Sequence, residues 1–168
     1  RNLLEFARRD DEDLEEVDER TLLEDTIRLV TGDAKSRERN IVRSYRPDAA
    51  LVLPRSRSRY IQQVVLNMLL NAIDATSPGG RIGVSAEWKD GGAQICVSDD
   101  GCGISPENID PLFEPFFTTK SVGTGTGLGL YLSHQFVDAL GGRIKVESAV
   151  GEGSVFRIWL PKDSSKTG

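Results

Sequence analysis

Apolar residues recur at helical spacing in three segments of the chain. The first segment begins at Thr21, which with Glu24 fits a capping box, and its apolar face consists of Leu22, Leu23, Ile27 and Val30. The second segment, residues 60–75, is apolar nearly all round, which predicts a buried helix. The third segment, residues 128–140, offers as core positions Leu128, Leu132, Val137 and Leu140.

Alternating apolar and polar residues predict strands elsewhere in the chain. Residues 81–88 and 93–98 flank a Lys-Asp-Gly-Gly turn, which predicts a hairpin. Residues 143–148 and 154–160 predict a second hairpin, and shorter strands are expected at residues 41–45 and 51–53. Because helices and antiparallel hairpins mix without regular alternation, the fold class predicted is α+β.

Composition narrows the possible partners. The 168 residues suit one domain, and 26 acidic against 21 basic residues give a net charge of −5, which argues against nucleic acid as a partner. No stretch approaches the roughly 20 apolar residues of a membrane span, so we expect no direct membrane contact. Cys96 and Cys102 form no metal-binding motif, which favours a reduced, cytoplasmic setting.

A polar stripe crosses the second helix. Gln63, Asn67, Asn71 and Asp74 follow one another at spacings of four, four and three residues, so they share one face. A line of polar residues that faces water would explain the stripe. However, a buried amide without a partner costs about 1–3 kcal/mol, and a Mg²⁺ ion held by few protein oxygens is one possible partner.

A strand that ends in an acid comes next. Asp99 closes the apolar run at residues 95–98, and Gly101 and Gly103 follow it. Glycines let a backbone approach a flat ligand closely, and a carboxylate only accepts hydrogen bonds. Asp99 is therefore suited to the exocyclic amine of adenine, although a plain Asp-Gly turn would also explain this segment.

Two further patches follow in the chain. Residues 112–120 concentrate aromatic side chains, threonines and Lys120, whose ammonium suits a phosphate, although a loop with a hydrophobic plug is the alternative. Glycines then precede the last helix, where free backbone N–H groups form an anion site, at positions 123, 125, 127 and 129. The spacing fits neither a Walker A loop nor a dinucleotide fingerprint, and a flexible hinge remains an alternative.

In this order the four patches resemble the N, G1, F and G2 boxes of the catalytic ATP-binding domain of bacterial sensor histidine kinases. These proteins share a superfamily, GHKL, with gyrase, the Hsp90-type chaperones and MutL. The corresponding segments are residues 63–75, 99–104, 112–120 and 125–130. The resemblance implies a two-layer α/β sandwich of the Bergerat type, with a mixed, mostly antiparallel sheet covered by helices. The short lid and the Phe-Thr-Thr-Lys segment resemble the nitrogen-regulation (NtrB-like) branch.

The resemblance also implies roles for individual residues. Asn71 would coordinate a Mg²⁺ that bridges the phosphates of ATP, with Asn67 beside it. Asp99 would bind the adenine amine, and Gly101 and Gly103 would admit the base. The other ATP-binding positions implied are Asp74, Ile104, Lys120, Gly123, Gly125, Thr126, Gly127, Leu128 and Gly129.

Members of this family transfer the γ-phosphoryl group of ATP to a histidine on a separate helical hairpin, with ADP as product, and then to an aspartate of a response-regulator receiver domain. We expect His134 to be a boundary residue of the last helix rather than the acceptor. The domains expected are the tail of the dimerisation hairpin at residues 1–11, the catalytic domain at 12–162 and a disordered tail at 163–168. The acceptor histidine is expected upstream of Arg1, so no catalytic residue is assigned within this chain. The chain alone is expected to be a monomer.

Departures from the family pattern separate two functional classes. ATP-driven clamps and hydrolases of the gyrase, Hsp90 or MutL kind carry a glutamate one turn before the metal-binding Asn, where this chain has Asn67. An amide cannot act as a general base, which favours a phosphoryl donor and disfavours the serine-kinase anti-sigma branch. A scaffold that binds no nucleotide is disfavoured by the intact glycines and Asn71. The basic run at residues 55–59 and Asp100 also differ from the family pattern.

Overall fold

The computed structural model describes residues 16–31, 38–45 and 52–162. The elements within these ranges are β1 (Glu16–Asp18), α1 (Glu19–Thr31), β2 (Asn40–Tyr45), β3 (Val52–Pro54), α2 (Arg55–Ala75), β4 (Arg81–Lys89), β5 (Gly92–Asp99), α3 (Pro106–Ile109), a 3-10 turn (Asp110–Phe113), α4 (Gly129–Ala139), β6 (Arg143–Ala149) and β7 (Gly153–Pro161). The predicted hairpin tail at residues 1–11 and the tail at 163–168 lie outside the described residues.

Five strands form one mixed sheet in the order β2-β4-β5-β7-β6. Both predicted hairpins are confirmed, since β4 pairs antiparallel with β5 and β6 with β7, while β2 lies parallel to β4. The short strand β3 lies apart from this sheet and pairs antiparallel with β1. The sheet is therefore mixed and mostly antiparallel, as predicted.

The first helix begins earlier than its capping pattern predicts. The carboxylate of Asp18 accepts a hydrogen bond from the backbone N–H of Thr21 at 2.9 Å and a second from the Thr21 hydroxyl. Asp18 is thus the N-cap, and Thr21 is the third residue of the helix. The capping box at Thr21 and Glu24 is wrong, because it would place Thr21 before the helix and bond the N–H of Glu24, whereas Asp18 caps a helix that begins at Glu19.

Helices α1 and α2 cover one face of the sheet with their apolar residues. The predicted face of α1 is confirmed, since Leu22, Leu23, Ile27 and Val30 are all buried. The buried apolar residues of α2 are Ile61, Val64, Val65, Met68, Leu69, Ala72 and Ile73, whereas Leu70 is exposed. These residues join one core with the inward positions of the sheet, including Ile82, Val84, Ile95, Val97 and Ile158. The two-layer α+β architecture is thereby confirmed.

Helix α4 contacts α2 through small residues. Gly129, Ser133 and Val137 follow at spacings of four and so lie on one face, where Ser133 and Val137 are buried. Leu132 is 38% exposed, so its prediction as a core residue is wrong. The inward face of α4 is rotated away from Leu132 because α4 approaches α2 through glycine and serine.

Among the described residues, no helix combines the length and apolar composition needed to cross a bilayer.

Candidate functional site

Helix α2 brings the four predicted patches together. Its polar stripe contacts the start of α4 and Lys120, and its last residue, Ala75, contacts the loop that follows Asp99. Each contact joins residues far apart in the chain. The part of the stripe that carries Asn67, Asn71 and Asp74 is therefore the centre of the candidate site.

Asn67 packs against the first turn of α4. Its Nδ2 donates to the hydroxyl of Ser133 at 3.2 Å, and that hydroxyl donates to the carbonyl of Gly129 at 2.9 Å. A Cβ at Gly129 would lie only 2.9 Å from Cγ of Asn67 and still closer to its Oδ1. A side chain at position 129 would therefore displace the Asn67 amide.

The ammonium of Lys120 lies on the oxygens of the stripe. Its Nζ is 2.6 Å from Oδ2 of Asp74 and 3.4 Å from Oδ1 of Asn71. The Lys120 and Asp74 side chains are 36% and 40% exposed, so solvent screens the pair and it contributes little to stability. The oxygens of Asn71 and Asp74 therefore form a position that holds a cationic group.

Asp99 lies at the end of β5, half-buried beside the loop that follows it. Its Oδ1 accepts a hydrogen bond from the backbone N–H of Gly101 at 2.9 Å, and the backbone N–H of Ser154 also donates to its carboxylate. Burial raises the pKa of Asp99 above its ordinary value, and the nearby charge of Asp100 adds to this, while the two N–H donors oppose it. Asp99 is thus a positioned hydrogen-bond acceptor whose charge is incompletely solvated.

The loop after Asp99 is enclosed by backbone on two sides. The backbone N–H of Cys102 donates to the carbonyl of Ala75 at 3.0 Å, and a Cβ at Gly101 would lie 2.6 Å from the carbonyl carbon of Ala75. On the other side, Gly103 has φ +71 and packs against the carbonyl of Ala149. These glycines are required where the loop fits between the end of α2 and the β6–β7 turn.

Two serines beside Asp99 were missed by sequence reasoning. Ser154 lies directly opposite Asp99 in the β5–β7 ladder, and Ser148 lies opposite Ser154 in the β6–β7 ladder. The Ser148 hydroxyl also accepts a hydrogen bond from the backbone N–H of Ile104 at 2.8 Å. The detectable signal was their inward place in the alternation, where the neighbouring inward residues Val146 and Phe156 are apolar.

The glycine-rich segment is tied to the aromatic segment by its backbone. The N–H of Phe116 donates to the carbonyl of Gly127 at 2.8 Å, and both residues have positive φ, at +67 and +66. Phe113 and Phe117 pack against the core, whereas Phe116 is 74% exposed. The left-handed backbone at Phe116 directs its ring outward and closes residues 117–126 into a loop.

Within this loop, the predicted phosphate-binding positions have different surroundings. Gly125 faces the hydroxyl of Thr118, which would lie 2.6 Å from an added Cβ. Gly123 lies in an exposed turn, where the described part of the chain places no atom within 4 Å of an added Cβ. The hydroxyl of Thr126 accepts a hydrogen bond from the N–H of Leu128 at 3.3 Å, one residue before α4 begins. The loop therefore leads directly to the N-terminus of α4.

His134 is a boundary residue, as predicted. Its ring lies 5.4 Å from the ring of Phe113, its Nδ1 is 3.8 Å from Oδ2 of Asp138, and its side chain is 38% exposed. It occupies the middle of α4.

Known proteins share this architecture. A family model described as "Histidine kinase-, DNA gyrase B-, and HSP90-like ATPase" matches residues 56–164. Among solved structures, the mycobacterial sensor histidine kinase MprB superposes with a TM-score of 0.74 at 30% identity, covering 88% of this chain and 96% of that one. The catalytic domain of histidine kinase ThkA superposes with a TM-score of 0.76 at 29% identity, covering 88% and 95% of the two chains.

Curated relatives align along nearly the whole chain. Sensor histidine kinase ZraS of Escherichia coli (strain K12) is 40% identical over 159 residues, which are 95% of this chain and 33% of that protein. Signal transduction histidine-protein kinase AtoS of the same strain is 35% identical over 160 residues, 95% of this chain and 26% of that protein. The chain thus spans a third or less of the length of these relatives. With the family model matched over most of its length, the chain belongs to the histidine kinase-, DNA gyrase B- and HSP90-like ATPase family.

Proposed function

We propose that this chain binds ATP with Mg²⁺ and donates its γ-phosphoryl group to a histidine on a separate helical hairpin, from which it passes to an aspartate of a response regulator. The observation that supports this proposal is that residues of the other three patches contact α2, the helix that carries the first patch. The relatives that align over 95% of this chain are named as histidine kinases. The hairpin, the regulator and the assignment to the nitrogen-regulation branch are parts of the proposal drawn from the family resemblance.

The base of the nucleotide is assigned to the Asp99 end of the site. The carboxylate there accepts from Gly101 and Ser154 and keeps further lone pairs for a ligand donor. Gly101 and Gly103 lie in the same loop without side chains, and Ile104 follows with its N–H held by Ser148. This arrangement fits a flat base whose amine points at Asp99.

The metal and phosphates are assigned to the Asn71 end. Asn71 and Asp74 offer an amide and a carboxylate oxygen, which are the hard ligands that Mg²⁺ takes, and the cation already on them is the Lys120 ammonium. When held there by Asn71 and Asp74, Mg²⁺ would supply positive charge that neutralises the charge developing on phosphoryl transfer. Lys120 and the glycines at 123–129 would then hold the phosphates from the side of α4, with ADP left after transfer.

Asn67 favours transfer over hydrolysis. Its Nδ2 donates to Ser133, and no atom of a carboxamide accepts a proton at neutral pH, so this position cannot activate a water molecule. The runner-up, an ATP-driven clamp or hydrolase, needs a base there. We therefore expect the chain alone to turn over ATP very slowly.

Two measurements test the proposal. Titration calorimetry with ATP and with ADP, each in excess Mg²⁺, should give a binding isotherm, and its absence at millimolar nucleotide would contradict the nucleotide site. Radiolabelled ATP should then label a phosphoacceptor hairpin of a sensor kinase that is added in trans, while the chain itself stays unlabelled. Label on His134, or rapid release of inorganic phosphate without a hairpin, would reject the assignment as a histidine-directed donor.

Asp99→Asn should weaken ATP binding and stabilise the nucleotide-free protein. A lost charged hydrogen bond to the base costs about 1.5–3 kcal/mol, which is about 10–100-fold in Kd. Because the pKa of Asp99 is raised in the folded state, the folded protein binds more protons than the unfolded chain just above pH 3.8. The ionised carboxylate therefore lowers the free energy of unfolding increasingly as the pH rises. A neutral Asn removes that opposition at pH 7.

Calorimetry and thermal unfolding at pH 7 measure the two effects of Asp99→Asn. Asp90→Asn is the matched control, because Asp90 lies in the exposed β4–β5 turn with φ +53, which Asn tolerates. Wild-type ATP affinity should also fall as the pH is lowered towards the raised pKa of Asp99. Unchanged affinity in Asp99→Asn would remove Asp99 from the base site.

A further inference from the structure

The inward face of the sheet carries a row of three polar side chains at one end. Asp99 on β5, Ser154 on β7 and Ser148 on β6 are direct cross-strand neighbours in successive ladders. Ser154 is 5% exposed, and Ser148 and Asp99 are half-buried. Side chains opposite one another in antiparallel strands lie about 4.5–5.5 Å apart at Cβ, so the row is continuous from the outer strand to the base site.

The Ser148 hydroxyl uses all its hydrogen-bonding capacity within the protein. It accepts from the backbone N–H of Ile104 at 2.8 Å, lies 2.7 Å from the carbonyl oxygen of Gly153 and 2.9 Å from the hydroxyl oxygen of Ser154. A hydroxyl has one proton and two lone pairs. A carbonyl brings no proton, so the single proton of Ser148 must point at Gly153.

The direction of the Ser154 proton follows from that count. With the Ser148 proton committed to Gly153, only Ser154 can supply the proton between the two serine oxygens. The Ser154 oxygen then presents lone pairs alone to any group that approaches it. Beside it, the Asp99 carboxylate is also an acceptor, so this end of the site offers acceptors and no hydroxyl donor from the row.

We propose that Ser148 is a specificity-determining positioning residue, which orients the Ser154 proton away from the base so that the site accepts an amine and rejects a carbonyl. The inference rests on the proposed nucleotide site. Adenine carries a donor amine at its six-position, whereas hypoxanthine, the base of inosine triphosphate, carries a carbonyl oxygen there. Ser148 touches no ligand in this role and acts through Ser154.

The experiment compares the Kd of ATP with that of inosine triphosphate, in Mg²⁺, for wild type and Ser148→Ala. Without Ser148, the Ser154 hydroxyl is free to rotate and donate to the hypoxanthine oxygen. We expect the ratio of Kd for inosine triphosphate to Kd for ATP to fall about tenfold, the effect of about one hydrogen bond gained or lost. A mere loosening of the loop would weaken both nucleotides and leave this ratio unchanged, which would overturn the proposal.

Three further variants sharpen the test. Ser148→Thr keeps the hydroxyl and should keep the wild-type ratio, so a ratio that falls in this variant as it does in the alanine variant would contradict the proposal. In a Ser154→Ala background, Ser148→Ala should leave the ratio unchanged, because the proton through which it acts is gone. Ser98→Ala on β5 is the matched control, since Ser98 alternates with Asp99 and lies on the other face.

Failure of this inference differs from failure of the proposed function. Wild type that binds ATP, with a ratio insensitive to Ser148→Ala, would overturn only the role of Ser148. Wild type that binds neither nucleotide would overturn the nucleotide site and this inference with it.

Discussion

Asn71→Ala is expected to abolish Mg²⁺-dependent ATP binding. Asn71 and Asp74 each supply one oxygen to the position on α2 that the Lys120 ammonium contacts. Mg²⁺ demands near-ideal geometry from few protein ligands, so losing one of two should weaken binding at least as much as the 10–100-fold typical of residues that only support a ligand. The Kd for ATP, measured by calorimetry with Mg²⁺ and with a chelator, checks this result.

The stability of Asn71→Ala should stay close to that of wild type. Asn71 is only half-buried, and its contact with Lys120 at 3.4 Å joins an exposed ammonium. Gln63→Ala is the matched control, since Gln63 lies on the same stripe but is exposed at its far end, and it should bind ATP as wild type does. Full Mg²⁺-dependent affinity in Asn71→Ala would remove this residue from the metal site.

Gly103→Ala is expected to destabilise the fold and to abolish nucleotide binding. Gly103 has φ +71, which costs a residue with a Cβ roughly 1–2 kcal/mol. The added Cβ would also overlap the carbonyl of Ala149, so the loop and the β6–β7 turn must separate. We expect a loss of about 2–4 kcal/mol in the free energy of unfolding, measured by urea denaturation.

Gly151→Ala separates the two components of that loss. Gly151 lies in the same β6–β7 turn with φ +80, but no atom of the described residues lies within 4 Å of a Cβ added there. It should lose only the conformational part, about 1–2 kcal/mol, and keep nucleotide affinity. Equal effects of the two alanines on stability and on ATP binding would show that the contact with Ala149 does not matter.

Local patterns predicted much of the fold because they depend on neighbours in the chain. The period of the α1 face identified buried positions, and the alternation in β4–β5 and β6–β7 identified two hairpins; the structure confirms both. Leu132 shows where such patterns fail. Its spacing suits a core face equally well, but α4 approaches α2 through Gly129 and Ser133, and a helix can turn only one face inward.

The sequence predicted which residues belong to the candidate site better than it predicted the contacts between them. Asn71, Asp74 and Lys120 were each selected from their own segment, but the Lys120 ammonium on the two oxygens depends on how a loop folds back on a helix 46 residues away. Ser148 and Ser154 were missed because their roles depend on strand register. An inward serine in one strand has no special meaning until its cross-strand partner is known.

The sequence by itself determined the helices and hairpins, the four boxes and their order, and the family to which they point, because these are properties of residue type and short-range spacing. Only the tertiary structure decided which groups meet. It placed Asp18 rather than Thr21 at the start of α1, turned Phe116 outward and aligned Asp99, Ser154 and Ser148 in one row. Such pairings follow from packing and from strand register between distant segments, which no local period encodes.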